Sequence, residues 1–270
     1  MALIQVNFVS KSLLRTVPIQ VILPVDKISM FSNEKKEEKP FKTLYLLHGI
    51  LGNYTDWVSG TRIQRWAEER DLCVVMPSGD NAFYIDQPAS MNNYGQFIGE
   101  ELVDITRRMF PLSRKREDTF IAGLSMGGYG AIRNGLKYHD TFGAIAGLSS
   151  AIHILEPGTQ HMNIAMEESF FGPLDEAVKS DKNPRVLIDQ LIAEKAELPK
   201  IYMACGLDDG LLEVNRTFRD LFKAKGFDVT YFEGPGAHEW DFWDREIKKV
   251  LEWLPLDEAS QGATSGSIDK

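Results

Sequence analysis

Residues 119–131 read TFIAGLSMGGYGA, and the reading of this stretch decides the fold. Its first part, Thr119–Ala122, is a short apolar run, as a strand covered on both faces requires. Its last part begins a helical pattern that runs from Gly128 to Tyr138. Between them lies Gly123-Leu124-Ser125-Met126-Gly127, the spacing G-x-S-x-G. A serine that exposes its Oγ on a tight strand-to-helix turn leaves no room for side chains two residues before or after it, hence the glycines. Gly128 and Ala131 let the helix lie close to the sheet, and the helix N-terminus favours negative charge beside the serine. Ser125 is therefore the expected nucleophile.

Working outward, the same strand-then-helix rhythm recurs. Thr43–Leu47, Leu72–Met76, Ala144–Leu148, Ile201–Cys205 and Val229–Phe232 read as strands, and Ile63–Arg70, Phe97–Phe110, Leu211–Lys225 and Trp240–Trp253 as helices. Alternation of this kind predicts parallel βαβ units with helices on both faces of one sheet. Gln5–Val9 and Val17–Leu23 alternate in polarity and predict an antiparallel pair ahead of it. The fold class is α/β, with a mostly parallel central sheet of about eight strands. One domain spans residues 1–258. The small polar tail, 259–270, is expected to be disordered, and Lys35 to Lys39 reads as a charged turn. Residues 149–200 exceed the usual strand connection of about 2–6 residues and are expected to cover the site as an insertion, with a helix near Arg185–Lys195.

A serine hydroxyl needs a base, and behind this elbow the chain order is serine, acid, histidine. His153, His161 and His238 are the histidines beyond residue 139. His238, in GPGAHEW after the last strand, stands where the order requires the base. His153 and His161 fall in the insertion. The acid should follow the penultimate strand, where IYMACGLDDG offers Asp208 and Asp209. Spacing alone does not separate the two, and the loser could cap the next helix. The oxyanion formed on attack needs the amide of Met126 and a second amide from the loop after the third strand, His48-Gly49-Ile50-Leu51-Gly52. His48 reads as a structural, hydrogen-bonded histidine. Trp57 is placed near the mouth of the cleft as a substrate contact, whereas Trp240 and Trp243 read as helix packing.

Composition narrows the partners. The chain has 270 residues, 43% of them hydrophobic, and a net charge of -9. Acidity at this level argues against a nucleic-acid partner, and no apolar run approaches the ~18 residues of a membrane span. The N-terminus lacks the features of a signal peptide, which points to the cytoplasm. Cys73 and Cys205 sit in apolar strands without metal-ligand spacing, so buried thiols and no cofactor or metal are expected. A small-molecule substrate is the expected partner, and a homo-oligomer stays open.

Together LYLLHGILGNYTDW, TFIAGLSMGGYGA, ACGLDDGLLEVN and FDVTYFEGPGAHEWDFW resemble the esterase D-like family of α/β-hydrolases, nearest the bacterial tributyrin esterases and related acetyl or cinnamoyl ester hydrolases. The resemblance runs from about Gln5 to Leu254. It implies an α/β-hydrolase fold and a serine carboxylesterase for short acyl chains, including acetylated or feruloylated carbohydrate. It also implies Asp209 as the acid and Ile50 with Met126 as the oxyanion donors. The loop HGILGN and the ending EWDFW differ from the usual pattern of S-formylglutathione hydrolases, which leaves a thioesterase or acyltransferase as the alternative. A catalytically silent binding protein is the non-enzyme alternative, against which the intact Ser125, Asp209 and His238 speak. Met162, Met166, Phe170 and Phe171 are expected to close a compact acyl pocket.

Overall fold

The computed structural model describes residues 1–27, 39–159, 161 and 163–256. The expected charged turn (apart from Lys39), the tail 259–270 and Met162 lie outside the described residues.

Eight strands form one sheet. They are β1 (Ala2–Ser10), β2 (Arg15–Leu23), β3 (Thr43–Leu47), β4 (Cys73–Pro77), β5 (Thr119–Leu124), β6 (Ala144–Leu148), β7 (Lys200–Gly206) and β8 (Val229–Gly234). Their order across the sheet is β1-β2-β4-β3-β5-β6-β7-β8. β1 and β2 form the antiparallel pair, β2 meets β4 antiparallel, and from β4 to β8 every neighbour is parallel. The expected strand Thr119–Ala122 runs two residues further, so β5 delivers its C-terminal end directly to Ser125.

The strands alternate between two apolar layers. Tyr45, Leu47, Cys73, Val75 and Ile121 point to one face. Leu44, Leu46, Val74, Met76 and Phe120 point to the other. Both faces are covered, which is why the central strands read as unbroken apolar runs. The second face is covered by α1 (Asp56–Gly60), α2 (Ile63–Glu68) and the last helix. On the first face lie α3 (94–109), whose stretch Phe97–Glu101 is π-helical, and α4 (Met126–Lys137).

The long connection from β6 to β7 holds α5 (Ile164–Phe171), α6 (Leu174–Ala177) and α7 (Pro184–Glu194). A parallel neighbour demands a crossover of a dozen or more residues, usually helical. α7 supplies it by packing on α4, so the added material lies ahead of Asn183, which caps α7 through its side chain. After β7 come α8 (Leu212–Ala224), then β8 and α9 (Trp240–Trp253).

Candidate active site

The elbow is strained as its sequence implies. Ser125 has φ 54° and ψ −117°, a conformation that costs a non-glycine residue about 1–3 kcal/mol and persists where the surroundings hold it. A Cβ on Gly123 would be driven into the Gly127 carbonyl, and one on Gly127 into the carbonyls of Leu47 and His48. The turn is locked by the Ser125 amide on the Leu148 carbonyl at 2.9 Å and by the Ala151 amide on the Ser125 carbonyl at 3.0 Å.

Three strand ends meet here. Ser125 follows β5, Asp209 follows β7 and His238 follows β8. The Ser125 hydroxyl donates to His238 Nε2 at 2.9 Å, and His238 Nδ1–H donates to Asp209 Oδ2 at 2.9 Å. A carboxylate only accepts, so it fixes the histidine tautomer with Nε2 bare toward the serine. The His238 side chain is 38% exposed and that of Asp209 1%. The histidine thus meets solvent while the carboxylate is shut off from it.

Asp208 and Asp209 are separated by their surroundings. Asp208 is exposed and its amide is held by the Gly236 carbonyl, whereas Asp209 is buried. Burial pushes the Asp209 carboxyl upward. Bonds from His238 and the Leu211 amide, with the Ser149 hydroxyl nearby, outweigh it and hold the group below its ordinary value. The expected capping role does not go to Asp208, because the Leu211 amide is taken by Asp209 Oδ1 itself.

The loop after β3 crosses the nucleophile. A Cβ on Gly49 would stand 2.7 Å from Leu124 Cδ1 and 3.5 Å from Ser125 Cβ. Among the described residues, neither the Ile50 amide nor the Met126 amide is taken up by a turn or loop carbonyl. Met126 is the first residue of α4, where backbone N–H groups are left without helical partners. His48 braces this loop: its Nδ1–H donates to the Gly49 carbonyl at 2.6 Å, and Nε2 accepts the Gly79 amide at 2.8 Å. Burial pushes its pKa down, which suits a neutral ring with both nitrogens used.

Trp57 departs from the sequence expectation. Its ring is 1% exposed, with Nε1–H on the Leu47 carbonyl at 3.0 Å and an edge contact to Trp240 at 5.6 Å. It lies under the loop after β3 and not at the mouth, because α1 turns it into the layer between sheet and α9. Trp243, read in the sequence as helix packing, also borders the site, and Ser149 beside it went unread. Trp243 packs edge-to-face on His238 at 4.9 Å and donates from Nε1 to Ser149 Oγ at 3.1 Å. The only local signal for Ser149 is a polar pair, Ser149–Ser150, directly after an apolar strand.

His153 and His161 stay in the insertion, the latter on Glu167 at 2.5 Å. The insertion is fastened to the body. Phe171 meets Phe83 at 4.9 Å and Tyr129 at 5.7 Å, and Gln87 Nε2 donates to the Phe170 carbonyl at 2.8 Å. Beneath it the 1%-exposed Arg133 side chain binds Asp181 Oδ2 at 2.7 Å. Of the residues expected to close the pocket, Phe171 is buried and Met166 is 46% exposed. Both cysteines are free and buried, and burial pushes the Cys205 thiol up to about 12. No group of metal-ligating side chains occurs among the described residues, and none of their helices is long and apolar enough to cross a membrane.

Parallel strands delivering such groups from their C-terminal ends, with helices on both faces, define the α/β-hydrolase class. The Esterase family model matches residues 10–254, and the chain belongs to that family. It is 44% identical to an acetyl esterase of Caldicellulosiruptor saccharolyticus over 94% of this chain and 98% of that one. Among solved structures it resembles the S-formylglutathione hydrolase FrmB of Staphylococcus aureus, at 34% identity and TM-score 0.81, over 94% of this chain and 98% of that one. It also resembles FphF, a fluorophosphonate-binding serine hydrolase of the same organism, at 33% identity and TM-score 0.82, over 95% and 99%. The protein is a carboxylic ester hydrolase.

Proposed function

We propose that this esterase hydrolyses esters of short acyl groups, acetyl foremost, through an acyl-enzyme on Ser125. The observation that carries the reading is the unbroken chain of bonds from Ser125 through His238 to Asp209, beside a loop whose Gly49 packs close to Ser125. Ser125 Oγ attacks the ester carbonyl carbon while His238 Nε2 takes its proton. The amides of Ile50 and Met126 receive the oxyanion, a role worth about 10²–10³ in rate per donor. The alcohol leaves with the proton from His238, and water repeats the sequence on the acyl-enzyme. Asp209 stays ionised and stabilises the imidazolium. The acetyl preference is supported by the 44%-identical acetyl esterase and by the bulky aromatic cluster that fastens the insertion.

A fluorophosphonate probe tests the nucleophile. Ser125→Ala is expected to abolish labelling and nearly all turnover while the protein melts as the wild type does; labelling that survives in the folded variant refutes the reading. A series of p-nitrophenyl esters tests the acyl group. Each methylene adds ~0.8 kcal/mol of binding while it fits. kcat/KM is therefore expected to peak at roughly two to four acyl carbons and to fall steeply by about eight. A steady rise to long chains would refute it. The likeness to FrmB favours a second reading, a thioesterase acting on acyl-glutathione with the same three residues. Comparing S-formylglutathione with p-nitrophenyl acetate decides between the two.

A further inference from the structure

Trp243 touches the proposed machinery twice from outside it. Its ring stands at 90° to the His238 imidazole with centroids 4.9 Å apart. Its indole N–H donates to the fully buried Ser149 hydroxyl. Ser149 itself holds φ 46°, a strained value for a residue with a side chain, and its amide is fastened to the Ala204 carbonyl at 2.7 Å. The neighbouring Ser150 is gripped on both sides by Asn215, which accepts its amide at 3.2 Å and donates to its carbonyl at 3.1 Å. The end of β6 is thus bent and clamped so that one hydroxyl faces the acid. That hydroxyl, held by the indole N–H, lies beside both the Asp209 carboxylate and the Cys205 thiol.

We infer that Trp243 and Ser149 are positioning residues for the ester hydrolysis, Trp243 holding the His238 ring by packing and, through the Ser149 hydroxyl, orienting the Asp209 carboxylate. The chain of contacts continues away from the site. Trp243 meets Trp240 at 5.3 Å, Trp240 meets Trp57 at 5.6 Å, and Trp57 bonds to the Leu47 carbonyl just ahead of the oxyanion loop. Three perpendicular indoles therefore tie the loop bearing His238 to the loop that crosses Ser125. Neither Trp243 nor Ser149 reaches the reacting atoms; both act on groups that do.

This inference rests on the proposed triad, and the experiment keeps the two apart. Ser125→Ala tests the triad through loss of fluorophosphonate labelling. Ser149→Ala, Ser149→Gly, Trp243→Phe and Trp243→Leu test the positioning, by steady-state kinetics on p-nitrophenyl acetate, rate of labelling and thermal unfolding. Ser149→Gly relieves the backbone strain yet lacks the hydroxyl, so a folded variant is available even where alanine destabilises. Trp243→Phe keeps a ring against His238 but lacks the N–H. Removing the hydroxyl or the N–H is expected to lower kcat and the labelling rate about tenfold, with KM within about twofold of wild type. The Trp243→Phe/Ser149→Gly double variant is expected to be no slower than either single variant, because both act through the same Trp243–Ser149 bond. Trp243→Leu, which also frees the ring of His238, is expected to be slower again. The inference is overturned if Ser149→Gly and Trp243→Phe keep kcat within about twofold of wild type, if the losses appear in KM alone, or if the double variant shows the product of the two single losses. Labelling that persists in Ser125→Ala overturns the triad instead.

Discussion

Two adjacent aspartates, Asp208 and Asp209, present the sharpest contrast at the scale of single residues. They share chemistry and differ in burial: one faces water, the other has a 1%-exposed side chain bonded to His238 and to the Leu211 amide. Asp209→Asn is expected to cut kcat by about 10⁴, because the amide no longer imposes the required histidine tautomer. Asp208→Asn is expected to leave kcat near the wild-type value; if the second change is the more damaging, the acid is misassigned. Ser125 and His238 were legible because their signals are local, a turn between strand and helix and a glycine-rich loop after the last strand. The choice between the aspartates is made by burial, which spacing does not encode. Ser149 was illegible for the same reason: its partner Trp243 lies 94 residues away in sequence. Trp57 misled because an indole next to an active-site loop can lie over it or under it, and the packing of α1 decides.

Elements were read best where two apolar faces constrain them. Thr43–Leu47, Ala144–Leu148 and Trp240–Trp253 match the sequence reading to the residue. The short helices α5 and α6 were missed. They are separated by Gly172–Pro173, carry many charges and bury few residues each, so neither propensity nor periodicity announces them. What holds this region is the tie beneath it. Arg133 on α4 is buried, and its partner Asp181 is 38% exposed. Burial pushes the Asp181 carboxyl upward, and Arg133 with Lys137 brings it below its ordinary value. Asp181→Asn strands a buried guanidinium. Breaking a fully buried pair costs about 3–5 kcal/mol; with one partner partly in water about 2 kcal/mol is expected here. Thermal or urea unfolding checks this, and an unchanged midpoint would show that the aromatic contacts and the Gln87 bond anchor the insertion without this ion pair.

For the whole molecule, acid is the discriminating condition. Asp209, Asp181, Glu101 and Glu233 all have folded-state pKa values held below the ordinary carboxylate range, Glu233 at about 2 beside Arg216. A depressed folded pKa contributes stability above the unfolded value that is lost as pH falls through the folded value. The unfolded values are 3.8 for aspartate and 4.5 for glutamate. The unfolding temperature is therefore expected to drop progressively below about pH 4.5. The loss of the Glu101 share has a visible place. That carboxylate accepts the Ser10 hydroxyl and the Lys11 and Ser12 amides, so the turn joining β1 to β2 loosens with it. An unfolding temperature that climbs between pH 4.5 and 3 would contradict this account. Parallel alternation follows from the apolar runs, whereas this network of carboxylates, formed between distant segments, does not.

The path of the chain between β6 and β7 also bears on how such a protein diversifies. Ser125, Asp209, His238, the oxyanion loop, Ser149 and Trp243 all lie outside residues 153–183, while both flanks of that stretch are pinned, at Ala151 to Ser125 and at Asn183 on α7. Lineages can therefore lengthen, shorten or exchange this stretch as a cassette, altering which acyl or alcohol group is admitted. The Ser125–His238–Asp209 chain of bonds would stay in place beneath it.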